Sequence, residues 1–381
     1  MFCTITKGKI SFNIINYSIF AKKIIALKKL TFLLLTLFAF SAFSQTAKYS
    51  NEFMNIGVDA AAFGMANAVT ATSSDVNSGY WNPAGLVNLE DNQVSAMHAN
   101  YFANIATYNY VGAAMPLDSK SAVGFSVIRF GVDDILNTTQ LIDEQGNIDY
   151  SRISLFSTAD YAFTLSYARN LPLEGFSYGV NAKVIRRVIG DFANAWGFGF
   201  DAGIQFQKKT WHFGVMARDI TTTYNTWSFD EDELATVQNA IDGQNQSVPE
   251  TSEITLPKLQ IGIAKTTTIR RDFDLTTSLN MDMRFAQTND IISSGSVSAT
   301  PAFGFELGYI DLVYLRGGVG NFQNLEVLGG DGTEIGFQPN FGIGFKYKGI
   351  QIDYALTDIG NQSLALYSNV FSLKLDWSVF R

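Results

Sequence analysis

Cysteine is all but missing from this chain. Its one copy, Cys3, lies close to the start. Everything after it is without disulfides, thiolate metal sites or cysteine nucleophiles, and the predicted cleavage point has no cysteine to carry a lipid. Histidine is nearly as scarce, with only His98 and His212. Two separated histidines do not build a zinc site. No serine elbow or carboxylate pair accompanies His212, so the chain is not expected to be an enzyme. Phosphate cradles are missing as well, because the many glycines follow strand spacing and open no helix. No catalytic, cofactor-binding or metal-binding residue is expected.

Basic charge is in short supply. The formal net charge is −8. Lys7, Lys9, Lys22, Lys23, Lys28 and Lys29 all precede residue 45, where there is no acid. Without them 21 basic residues face 35 acidic ones, a net of −14. That balance argues against a nucleic-acid partner. Lys28 and Lys29 lead into the apolar run 30–40, and Ala42-Phe43-Ser44 supplies small residues at a cleavage site. Residues 1–44 therefore read as a secretory signal peptide cut before Gln45, its first 26 residues being an extra stretch that suggests a true start near Leu27. After residue 44 no apolar run is long enough for a spanning helix.

What the chain has is aromatics, 14% of residues, and a two-residue rhythm. From Phe273 to Phe285, Phe273, Leu275, Leu279, Met281, Met283 and Phe285 alternate with Asp274, Ser278, Asn280, Asp282 and Arg284. Such a strand has one apolar and one polar face. The pattern recurs about fourteen times between residues 93 and 380. Connections after even strands are short and rich in Lys and Arg. Most of those after odd strands are long and acidic, at 132–159, 219–255, 286–299, 320–333 and 358–367. A soluble sandwich has no reason to sort its loops by parity, whereas a transmembrane barrel does. The expected fold is all-β: a transmembrane antiparallel up-and-down β-barrel of about 14 strands over 93–381. Its aromatic face meets lipid, because the opposite register would put Asp282 and Arg284 in hydrocarbon.

That register turns Gly197, Gly199, Gly203, Gly304, Gly308, Gly342 and Gly344 inward, so another backbone must fill the lumen. Residues 45–92 are the candidate plug. There Trp81, Asn82, Pro83, Ala84 and Gly85 form a turn-making knot, with Trp81 and Leu86 expected against the inner wall and a short helix within 57–68. Charges expected inside are Lys183, Arg187, Asp201, Asp282, Arg284, Glu306, Asp353 and Lys374. In loop 219–255, Tyr224, Trp227 and Phe229, followed by Leu234, Val237 and Ile241 on a short amphipathic helix, could cover the barrel mouth or grip a partner.

"SSDVNSGYWNPAGL", residues 73–86, resembles the N-terminal signature of the FadL superfamily of outer-membrane proteins. "ITTTYNTWSF" at 220–229, "EITLPKLQIGIA" at 253–264 and the lead-in Gly57–Gly64 resemble its PorV/PorQ branch. The resemblance implies an outer-membrane barrel of fourteen strands with an N-terminal hatch. It also implies an accessory role in type IX secretion, with cargo C-terminal sorting domains and a translocon subunit as protein partners beside outer-membrane lipid. The alternative is FadL-like transport of hydrophobic small molecules. The charged lumen is expected to weigh against that alternative, which needs a largely apolar pocket.

Overall fold

A computed structural model of the chain describes residues 50–102, 104–142, 146–231, 251–326, 332–357 and 368–380. The predicted signal peptide, and Leu234, Val237 and Ile241 of the predicted loop helix, lie outside the described residues. Fourteen antiparallel staves close into a barrel. They are β1 (Gln93–Tyr101), β2 (Ala106–Asp118), β3 (Ser121–Asn137), β4 (Ser154–Asn170), β5 (Phe176–Ile189) and β6 (Ala193–Lys208). β7 runs as Trp211–Arg218 and resumes as Thr223–Phe229; β8 comprises Ser252–Thr255 and Lys258–Arg270. β9 (Phe273–Arg284), β10 (Ser298–Tyr309), β11 (Val313–Glu326), β12 (Thr333–Tyr347), β13 (Ile350–Thr357) and β14 (Ser368–Asp376) complete the wall. Each stave pairs with its chain neighbours, and β14 pairs with β1 to shut the ring, as in Ala96↔Leu373. Closure satisfies every edge, which a sheet in hydrocarbon requires.

Side chains sort as the two-beat pattern predicts. On β6, Trp196, Phe198, Phe200 and Ile204 are exposed outward, while Ala195, Asp201 and Gln205 are buried. The outward apolar belt is uneven around the barrel. On β12 it runs from Ile335 through Phe337, Phe341, Ile343 and Phe345 to Tyr347. On β3 it holds only Val123, Phe125 and Val127 before Arg129 interrupts it.

The connections expected at 132–159, 219–255 and 320–333 are shorter than that, because strands reach into them. β3 continues past a register shift between Val132 and Ile135, and β11 past one between Gly320 and Gln323. A bulge switches the outward set from odd to even positions, so a period-2 count stops there. Loop 219–255 is the largest correction. Thr223–Phe229 pairs with β6 and with Ser252–Thr255, so "TYNTWSF" is wall rather than loop. At the other end, the last strand stops at Asp376, and a 3-10 turn takes up Trp377–Phe380.

Residues 50–92 precede β1 and pack inside. A 3-10 turn at Glu52–Asn55 leads to helix α1 (Ala60–Gly64), whose N-cap Asp59 accepts from the Ala61 amide. Helix α2 (Ser78–Trp81) ends at Asn82, and Pro83 opens a 3-10 turn to Asn88. Proline suits that first position, where no amide is needed.

Candidate functional site

The knot holds the hatch together and holds it to the wall. Trp81 is buried; its Nε1 donates to the Val58 carbonyl at 3.0 Å, and its ring meets Tyr80 edge-on with centroids 4.8 Å apart. Asn82 accepts from the Ala84 amide and donates to the carbonyls of Thr70, at 3.1 Å, and Ile204, at 3.2 Å. It thereby ties the hatch to β6. Pro83 sits against Gly179 of β5, and Ala84 is buried. Gly85 lies where a methyl would collide with the Ser73 carbonyl. Of the inward glycines, Gly203 meets Asn82 and Pro83, Gly304 meets Met65, and Gly342 meets Gly64. Gly197, Gly199, Gly308 and Gly344 instead make room for wall side chains.

Electrostatics fix the hatch further. Residues 50–92 carry Glu52, Asp59, Asp75, Glu90 and Asp91 and no lysine or arginine. The wall supplies the cations. Lys374 of β14 bridges Asp59 at 3.2 Å and Asp75 at 2.7 Å. Burial acts to raise the Asp59 carboxyl, but Lys374 and then Arg316 outweigh it and hold the group below its ordinary value. Arg218 of β7 donates to the Tyr80 carbonyl at 2.9 Å and lies 4.3 Å from the Tyr80 ring centroid. These anchors (Asp59, Asp75, Arg218) were not picked out from the sequence. The signal that could have found them is a lysine-free hatch inside a wall carrying inward cations.

The inward charges that were expected are present and mostly paired. Lys183 binds Asp201 at 2.7 Å and Asp219 at 2.6 Å. Arg316 joins Glu306 to Asp353, and Arg187 joins Asp160 to Glu253. Arg284 reaches Asp290, and Asp282 accepts from Gln260. The Lys183 cluster closes an interruption of the wall. Between Arg218 and Thr223 the β7 ladder stops, and Asp201 instead accepts from the Asp219 amide.

The lumen has two unlike ends. Towards the rim with the long connections lies an apolar cluster. Tyr101, Tyr108 and Phe130 of the wall stand in a chain of ring contacts at 6.3 and 6.1 Å, packed with Phe53, Met54 and Ile56 of the hatch. The buried Tyr108 hydroxyl has no hydrogen-bond partner among the described residues. Towards the short turns opens a cavity of about 590 Å³, lined by polar groups including Asp75, Glu90, His212, Lys346 and Asp376. His212 of β7 is one of the side chains that line it. Among the described residues no cluster of His, Cys, Asp or Glu is placed to hold a metal.

The aromatic trio of the expected partner loop does not gather. Tyr224 points outward and is exposed, whereas Trp227 is buried under Arg187, 5.1 Å from it, and stacks on Phe229. All three are wall residues of β7.

No protein-family model matches this chain, and no curated protein does. Solved structures do. The CymD monoaromatic hydrocarbon channel aligns with 87% of this chain and 99% of its own, at 10% identity and a TM-score of 0.54. The P. putida toluene transporter TodX aligns with 84% of this chain and 99% of its own, at 12% identity and a TM-score of 0.53. A Pseudomonas aeruginosa FadL homologue aligns with 84% of this chain and 98% of its own, at 12% identity and a TM-score of 0.46. The first two alignments show a shared fold. A closed fourteen-stave barrel with this fold and an apolar outer belt is a protein of the outer membrane.

Proposed function

We propose that this barrel admits small hydrophobic molecules through the outer membrane. The observation that carries the reading is the aromatic shelf inside the outer rim, Tyr101, Tyr108 and Phe130 over Phe53 and Met54. The cluster is closed while the hatch is seated. A shift of the hatch would open an apolar pocket there, and the Tyr108 hydroxyl, unpartnered among the described residues, would be its placed polar group. The fold shared with the hydrocarbon channel and the toluene transporter supports the same reading. The charged lumen weighs less against it than expected, because most of those charges are consumed in ion pairs away from the shelf.

Passage requires the hatch to shift. The Ala60 amide donates to Ser372 Oγ at 3.1 Å, so cysteines at these two positions would tether hatch to wall. Residues 45–381 have no cysteine of their own, which leaves the pair A60C/S372C unambiguous. In cells, uptake of a labelled hydrophobic probe should fall to the level of a deletion strain when the pair is oxidised and recover on reduction. Equal uptake by tethered barrel and deletion strain under both conditions would refute passage through this lumen.

A second reading rests on how firmly the hatch is seated. Lys374 of β14 and Arg218 of β7 hold it from the wall, and its own Asn82 grips β6, as suits a barrel that never opens. That favours an accessory barrel of the PorV/PorQ kind, serving type IX secretion by binding cargo sorting domains or a translocon subunit. Cross-linking in cells followed by partner identification separates the two, since only this reading requires a captured secretion protein.

A further inference from the structure

The outer wall carries a polar stripe that the lumen does not explain. Strand register sets Asn109 of β2, Arg129 of β3, Tyr161 of β4, Arg186 of β5 and Trp196 of β6 side by side. All five point away from the lumen, because their chain neighbours Tyr108, Ile128, Ala162, Ile185 and Ala195 are buried. His98 of β1 extends the row through a 2.7 Å contact with Asn109.

The two arginines are held ready. The Arg186 guanidinium lies 4.7 Å from the Trp196 ring centroid and donates to Asn194 Oδ1 at 2.7 Å. Both of these partners are uncharged. Arg129 donates to Thr107 Oγ1 at 3.1 Å and to both Asp133 carboxylate oxygens at 2.8 and 3.1 Å, a partly exposed pair from which a phosphate would have to displace Asp133. One stave separates the two arginines, which places them roughly 10 Å apart at ordinary strand spacing.

Height identifies what meets them. Directly below the stripe, towards the short turns, the same staves present apolar side chains outward: Val123, Phe125 and Val127, then Phe163 and Leu165, then Phe198 and Phe200, with Arg169 coming only at the inner rim. Towards the long connections come Asp133 and Asp134, and beyond them the exposed pair Leu136 and Leu155. The stripe is therefore the outer edge of the hydrocarbon zone, with Tyr161 and Trp196 in the aromatic girdle. An outward arginine is costly at the midplane and nearly free at this level. Long connections mark the cell exterior, so the groups at this level are the lipid headgroups of the outer leaflet.

We propose that Arg129 and Arg186, with the Tyr161 hydroxyl between them, bind the phosphate of a phosphorylated lipid in the outer leaflet. A guanidinium fork matches phosphate oxygens in pairs, and a fixed guanidinium loses little freedom on binding. The stripe is continuous with the lipid-facing belt beneath it, which favours a lipid over a protein occupant.

The test uses the full chain purified in uncharged detergent and native mass spectrometry with lipid A, either phosphorylated or enzymatically dephosphorylated. R129Q/R186Q should weaken retention of the phosphorylated lipid by at least about tenfold, since losing a single charge-assisted hydrogen bond costs that much and the variant removes two guanidiniums. Retention of the dephosphorylated lipid should not change. R270Q/R271Q removes the same charge at an inner turn and should leave both lipids bound as in the wild type. Equal retention by R129Q/R186Q and wild type would overturn the proposal, as would an equal loss in the R270Q/R271Q control. A photo-crosslinker at position 163 that captures a protein instead of lipid in cells would overturn it too.

Discussion

Lys374 shows how much of this interior hangs on single side chains. Its side chain is only 7% exposed, and it neutralises two hatch aspartates at once. Lys374→Met would leave Asp59 and Asp75 without their cation in a desolvated site, a loss on the order of 3 kcal/mol. Denaturant unfolding in micelles, compared with the wild type, measures it. A triple variant that also carries D59N and D75N should regain much of the loss. Acid should act on the same contact. Asp59 has a folded value below its unfolded value of 3.8. Its stabilisation is complete above that value and is lost as pH falls through the lower, folded one. Hydrogen exchange of residues 57–70 should stay flat from pH 7 to 5, after correction for intrinsic rates, and rise only below about 3.8. The inward position of Lys374 was legible, because alternation with Phe371, Leu373 and Leu375 leaves no other face for it. Its partners were not legible, because they lie about three hundred residues away in the chain.

At the level of elements, the hatch and the wall are fitted by bare backbone. Gly214 of β7 stands where any methyl would strike the Thr70 carbonyl. Gly214→Val should therefore unseat the loop 65–73 without opening the barrel. Limited proteolysis should cut the hatch of the variant while heat-modified gel mobility stays that of a closed barrel. The knot was readable in advance, since Trp81, Asn82 and Pro83 combine bulk, a cap and a break in a few residues. The path of β7 was not. Its ladder breaks at Asp219–Thr222, where Asp219 and Thr222 take positive φ, and Pro257 across the gap has no amide to give. An interrupted strand of this kind looks like a loop in sequence, which is why Trp227 was expected in a loop that covers the mouth or grips a partner, and it is instead a buried residue of the wall.

The molecule as a whole was the most legible level. Fourteen staves, the parity of their connections and the lipid-facing register all follow from one rhythm, since each outward error would place a charge in hydrocarbon. What rhythm could not supply is the vertical extent of each stave, because bulges in β3 and β11 shift the phase midway. That extent has a mechanical result. The apolar belt is tall along β12 and short along β3. A bilayer of uniform thickness cannot match both flanks, so the barrel axis should lean away from the membrane normal, with lipid compressed beside β3. Site-directed spin labels at Phe125 and Phe341 should report unequal depths in the same vesicle, and the inequality should shrink in lipids with shorter acyl chains. A protein leaning in this way gathers thin membrane on one side, and the barrel itself would then choose which lipids gather along that flank.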